Sequence, residues 1–156
     1  MGLVRKILSF PKRLVFAIQH GYRWYKVDIS CQERKFEKAL AILQKMTRRH
    51  PARVKLSLKK AQVLYALSRY QASLTELDAI VPVLETGGKL SDAEKQYCFA
   101  YLYWLALCIK VKTGADQKRM LAQLRDVNIR AIDLAKVPRV WRSNFPLRLH
   151  PNWEEP

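Results

Sequence analysis

Apolar positions recur along this chain at intervals of three and four, in blocks separated by proline, glycine or short polar stretches. That period predicts amphipathic helices. Leu3, Val4, Ile7, Leu8, Leu14, Val15 and Ile18 form a first stripe, with Arg5, Lys6, Ser9, Lys12 and Arg13 on the other side. Pro11 falls on the apolar side and is expected to kink or divide that helix. Residues 20–32, "HGYRWYKVDISCQ", are less regular, with room for a short helix in which Trp24 and Tyr25 are packed or interfacial.

The pattern then sharpens. Phe36, Ala39, Leu40, Leu43 and Met46 share one face of a helix that ends at Pro51. Arg48, Arg49 and His50 fall in its last turn, where cations suit the carbonyl end of the helix dipole. Val54, Leu58, Ala61, Leu64 and Tyr65 give a second helix over 52–67, and Tyr70, Leu74, Leu77 and Ile80 a third over 70–84 whose last turn Pro82 disturbs. Ser91 and Glu94 form a capping box at the head of a long helix. From Tyr97 to Ile109 that helix is apolar all round, as a helix enclosed by neighbours must be, and Thr113-Gly114 stops it. Met120, Leu124, Val127, Ala131 and Leu134 predict a last helix over about 115–136, ended by Pro138. The remaining segment to residue 156 has four prolines and no helical period, yet carries Trp141, Phe145, Leu147, Leu149 and Trp153. So apolar a tail is expected to lie extended along the helical body, with Trp141 and Phe145 docked.

Phe36 and Tyr70 stand 34 residues apart, and Ser73, Leu77 and Ile80 repeat the spacing of Ala39, Leu43 and Met46. Ala61 precedes Tyr70 by nine residues. A helix pair every 34 residues resembles the tetratricopeptide repeat. In that arrangement small residues such as Ala39, Ala61 and Ser73 let paired helices approach, and aromatics at the turn plug the gap to the next pair. The resemblance covers residues 33–84, about one and a half repeats. Residues 91–136 match only as a helix pair, Val27 stands where a small residue belongs, and Glu85 stands where proline is usual.

The resemblance implies an all-α fold, a short right-handed superhelix of antiparallel helix pairs. Residues 1–136 would form one helical domain, with 1–26 as a basic amphipathic N-terminal segment, and 137–156 the tail. It implies a non-enzymatic scaffold or adaptor whose groove holds another protein. The groove positions would be Lys55, Leu58, Gln62 and Tyr65, with Arg53 at the entrance. Relatives that clamp a C-terminal carboxylate use paired lysines and asparagines; Leu58 and Gln62 depart from that pattern, so carboxylate-tail binding is not expected.

Charge adds a second expectation. There are 29 basic and 13 acidic residues, net +16, and residues 1–26 hold Arg5, Lys6, Lys12, Arg13, Arg23 and Lys26 with no acid. With Tyr22, Trp24 and Tyr25 among its residues, this segment suits the headgroup zone of an anionic membrane. The competing use of the same stripe is to cover the open end of the repeat array. Nucleic acid is the alternative anionic partner, ranked lower because the cations match no reader motif.

Other chemistry is thin. Cys31, Cys98 and Cys108 are an odd number with no C-x-x-C pair, and read as three buried, reduced thiols of a cytoplasmic protein. His20, His50 and His150 are far apart along the chain and lack metal-ligand spacing. There is no glycine-rich phosphate loop, nucleophile motif, small-molecule site or cofactor site to be found, so neither an enzyme nor a metalloprotein is expected. "PKR" at 11–13 interrupts any secretory signal, Lys6 spoils a myristoylation motif, and the Tyr97–Ile109 run is short of a membrane span. The expected location is the cytoplasm, with the inner face of a membrane as the place where the N-terminal segment would attach.

Overall fold

The computed structural model describes residues 2–86, 89–114 and 133–147, with side chains from residue 14 onward. Those residues are all-helical: α1 (Gly2–Gln32), α2 (Phe36–Arg49), α3 (Val54–Ala66), α4 (Tyr70–Glu85), α5 (Asp92–Thr113) and α6 (Arg139–Asn144). The helix expected over 115–136 lies outside the described residues except for its end. There residues 134–136 form a turn, and Leu134 is exposed instead of facing inward.

Neighbours in sequence are neighbours in space, with α3 against α4, α2 against α3 and α1 against α2 as the most extensive contacts, then α4 against α5. Turns of only a few residues join the first four helices, so each runs back along its predecessor. α3 also touches α5, two elements on. It is therefore buried from two sides: Val54, Leu58 and Ala61 join a cluster with α4, α5 and the segment around α6, whereas Leu56, Val63 and Leu64 join α1 and α2. A helix enclosed in this way shows no single stripe, which is why sequence periodicity located Val54, Leu58, Ala61 and Leu64 but missed Leu56 and Val63.

α1 departs from expectation. It runs through Pro11 and Gly21 as one helix to Gln32, where a kink or a division at Pro11 was expected. The irregular stretch at 20–32 is held helical by packing: Val27 and Ser30 are buried, and Trp24 and Cys31 lie against the α2 and α3 side chains. Tertiary burial here outweighs a weak local pattern. Pro82 likewise lies within α4, and its carbonyl accepts from the Thr86 backbone amide at 3.0 Å.

The 34-residue spacing is matched in burial and in backbone bonding. Ala39 and Ser73 are fully enclosed, as are Leu43 and Leu77, while Phe36 and Tyr70 each open a helix. Ser73 Oγ donates to the Ala61 carbonyl at 2.8 Å, which needs the close approach that small residues allow between α3 and α4. The turns before α2 and α4 correspond too. Lys35 N donates to Ser30 O at 2.7 Å, and Arg69 N to Leu64 O at 2.9 Å. In both, the preceding residue is left-handed, Arg34 at φ 57° and Ser68 at φ 58°. At α5 the capping box is present, Glu94 N donating to Ser91 Oγ and Ser91 N to Glu94 Oε2, and Gly114 closes the helix at φ 64°.

The tail is a correction in form. Residues 139–144 coil into α6 instead of lying extended, yet Trp141 and Phe145 are buried as expected. Four-residue spacing places both aromatics on the inner side of this single turn and a half.

Candidate functional site

Two surfaces carry chemistry. The first is the face shared by α1, α3 and α5, on which α6 is seated. The Trp141 indole Nε1 donates to Glu94 Oε1 at 2.7 Å, and the Tyr97 hydroxyl donates to the Phe145 carbonyl at 2.6 Å. The Phe145 ring meets Tyr101 edge-on with centroids 5.2 Å apart. Lys55 Nζ lies against two indoles, 5.2 Å from the Trp24 ring centre and 5.7 Å from that of Trp141. Cation–π attraction offsets part of what the ammonium loses in hydration. Burial still holds the Lys55 pKa below its ordinary value, with Lys59 adding to the effect and Asp28 and Glu94 opposing it. Lys59, almost wholly buried, reaches Asp28 at 3.6 Å and so ties α3 to α1.

The groove positions expected on α3 share this face but differ in access. Lys55, Gln62 and Tyr65 are half-buried; Leu58 is fully enclosed and is core. The Tyr101 hydroxyl is buried without a hydrogen bond of normal geometry, and Gln62 is the polar side chain beside it. Arg53 stands elsewhere. Its guanidinium is 3.2 Å from His20 Nε2 and 5.5 Å from the centre of the Phe16 ring. Phe16 in turn meets His20 and His50 with centroids 5.9 and 5.1 Å away. Folding thus brings together two histidines that are remote in sequence, in an aromatic cluster at the α1–α2–α3 junction.

The second surface is a cleft of about 670 Å³ between α1 and α2. Its lining is Arg23 and Lys26 from α1, Lys45, Arg48 and Arg49 from α2, with Gln19, Tyr22 and Ile42 between them. Arg23 and Lys26 were expected on an anionic surface; Trp24 was too, but it packs towards Lys55 and the core. The side chains of Arg5, Lys6, Lys12 and Arg13 lie outside the described residues. Lys45 was not singled out in the sequence, and Arg48 and Arg49 read there only as helix-end cations. Their i, i+3, i+4 spacing was the available signal, but convergence with α1 cannot be read from either helix alone. α1 also exposes Leu14, Val15, Ile18, Tyr22 and Tyr25, each between 51% and 59% or, for Ile18, 62% accessible.

Comparison of the chain with protein-family models, curated proteins and solved structures gives no match. The class that fold and surfaces define is an all-helical protein with an aromatic face that seats α6 and a separate basic cleft. No helix among the described residues is long and apolar enough to cross a membrane.

Proposed function

We propose that this chain is a non-enzymatic, tetratricopeptide-like scaffold whose α1–α3–α5 groove binds a short segment of another protein, and that α6 occupies that groove in the free chain. One observation carries the reading: Trp141 is held jointly by Lys55 of α3 and Glu94 of α5, with Trp24 of α1 also against the Lys55 ammonium. The groove thus accepts an aromatic anchor with a polar handle, the kind of residue that dominates interface energetics. The matched turns at Arg34 and Ser68 and the matched burial of Ala39 and Ser73 support the repeat-like arrangement. The partner segment this groove suits carries two aromatics four residues apart, as Trp141 and Phe145 are.

The test is peptide display against the chain ended after Lys136. Enrichment of sequences with paired aromatics at that spacing, together with competition by a peptide of residues 137–156, is the expected result. If the shortened chain unfolds, or selects no such peptides, the groove is merely core and the reading fails.

A second reading, peripheral attachment to an anionic membrane, is favoured by the exposed α1 stripe of Leu14, Val15, Ile18, Tyr22 and Tyr25. Flotation with acidic vesicles tests it: Ile18→Ser combined with Tyr25→Ser should abolish binding, and unchanged flotation excludes the stripe.

A further inference from the structure

We infer that the cleft between α1 and α2 is a binding site for a compact anion bearing several phosphate groups, supplied as a phosphoinositide-type lipid headgroup. Five cations, Arg23, Lys26, Lys45, Arg48 and Arg49, converge on one cleft. None of them is in an ion pair with an acid among the described residues. The α2 dipole accounts for a preference for Arg48 and Arg49 at its last turn. It does not account for Lys45, a turn earlier, or for the two α1 cations that face them. Like charges brought this close repel, and a multivalent anion converts that repulsion into attraction.

The lining also supplies the donors such a ligand needs. Arginines offer planar pairs of N–H groups matched to phosphate oxygens, and lysines add compact charge. Gln19 and Tyr22 add neutral donors, and Ile42 an apolar patch. A volume of about 670 Å³ falls within the range of roughly 300–1,000 Å³ typical of small-ligand sites. A nucleic-acid strand requires an extended basic track with free aromatic faces. Here Tyr22, the aromatic that lines the cleft, has Lys26 Nζ over one ring face at 4.5 Å. The exposed stripe on α1 adjoins the cleft through Tyr22, which belongs to both. The proposal takes the source of its ligand from the membrane reading, but not the chemistry of the site.

A smaller hollow of about 210 Å³ continues the cleft, sharing Gln19, Arg23 and Arg49 and adding Phe16, His20, Met46 and His50. His20 is held below its ordinary pKa, first by burial and then by Arg53, His50, Arg23 and Lys55. Arg23 is the one cleft cation among these causes, and through it and the shared hollow the ring becomes a reporter of anion binding.

The experiment compares full-length protein with Lys45→Gln/Arg48→Gln/Arg49→Gln, and with a control lacking three remote exposed cations, Lys89→Gln/Lys110→Gln/Lys112→Gln. One arm titrates inositol hexakisphosphate by calorimetry. The other uses phosphatidylcholine vesicles with and without a phosphatidylinositol bisphosphate. Loss of three headgroup-facing charges should weaken binding about a hundred-fold in the cleft variant, while the control changes little. The His20 ring should titrate at higher pH when the phosphate probe is bound. Binding in both arms supports the lipid source; binding of the soluble probe alone keeps the phosphate site and overturns the lipid. Ile18→Ser/Tyr25→Ser should lose vesicles yet keep the soluble probe, which separates failure of the membrane reading from failure of the cleft. Equal weakening in the cleft and control variants, no binding in either arm, or equally tight, cleft-dependent binding of a short single-stranded RNA overturns the proposal.

Discussion

The Glu94 carboxylate serves two partners at once. Its Oε1 accepts from the Trp141 indole at 2.7 Å, and its Oε2 accepts from the Ser91 backbone amide at 2.9 Å, closing the N-terminal cap of α5. One side chain therefore couples the start of a core helix to the seating of α6. Glu94→Ala should destabilise the protein by about 1–2 kcal/mol, since it removes a cap and leaves the indole without its acceptor. Trp141→Phe, which keeps the ring and deletes the donor, should cost about 1 kcal/mol. Urea unfolding of both single variants and the double variant measures their coupling, and strict additivity would show that the indole bond contributes nothing.

The same carboxylate makes α6 sensitive to acid. Burial pushes the Glu94 pKa up, but the bonds from the Ser91 backbone, Trp141 and the Ser91 hydroxyl, with the Lys55 charge, outweigh it and hold the group below its usual 4.5. A depressed folded-state pKa means that the unfolded chain binds the proton first. The stabilising contribution is complete above pH 4.5 and is lost as pH falls through the lower folded value. The stability gap between wild type and Glu94→Gln should therefore shrink below pH 4.5, with the Trp141 indole proton resonance shifting over the same window. A gap independent of pH down to that of full acid unfolding would contradict the assignment.

Two turns carry backbone strain that glycine would relieve. Arg34 and Ser68 adopt φ 57° and 58°, where the Cβ of an L-residue crowds the backbone. Arg34→Gly and Ser68→Gly should each stabilise the fold by about 0.5–1 kcal/mol, the gain in strain exceeding the extra chain entropy of glycine. Arg34→Ala and Ser68→Ala keep the Cβ and should give no such gain. Thermal unfolding of the four variants decides the matter, and stabilisation by alanine as large as that by glycine would show that the effect is not left-handed strain.

These turns also mark what sequence could not reveal. A left-handed position is normally announced by glycine or asparagine, and neither Arg34 nor Ser68 does so. The helices with one dry face were legible, as α2 with Ala39, Leu43 and Met46 demonstrates, because a 3.6-residue period needs only local order. So was the capping box at Ser91 and Glu94, whose partners are three residues apart. The burial of Trp141 and Phe145 followed from their apolar area, but not the helical turn that delivers them, since flanking prolines argued for extension. Arg53 was read as a groove residue from its place before α3, while its contacts with His20 and Phe16 depend on where α1 lies. The basic cleft was least legible of all. Its cations come from two helices and meet only once α1 continues unbroken past Gly21.

The three thiols differ more than their sequence contexts suggest. All three were expected to be buried, but Cys31 and Cys108 are partly exposed and only Cys98 is enclosed. Burial raises all three pKa values; Lys59 offsets the effect at Cys31, and Lys112 at Cys108. At Cys98, burial and then the Glu94 charge push the thiol up to about 12. Because the thiolate is the reactive form, Cys98 should resist a disulfide reagent at neutral pH until the fold opens, whereas Cys31 and Cys108 should react earlier, though more slowly than a free thiol. Stopped-flow thiol titration resolves the two classes. Adding a denaturant should accelerate the slow class in proportion to the unfolded fraction and leave the fast class nearly unchanged. The packing predicts a matching order of substitutions. Cys98→Ala should be tolerated with a modest loss of contact, and Cys98→Ser should cost about 1–3 kcal/mol more if its hydroxyl finds no acceptor within α5. Rapid modification of all three cysteines in the native protein would mean that the α5 core opens without global unfolding, and that the seat of Trp141 and Phe145 opens with it.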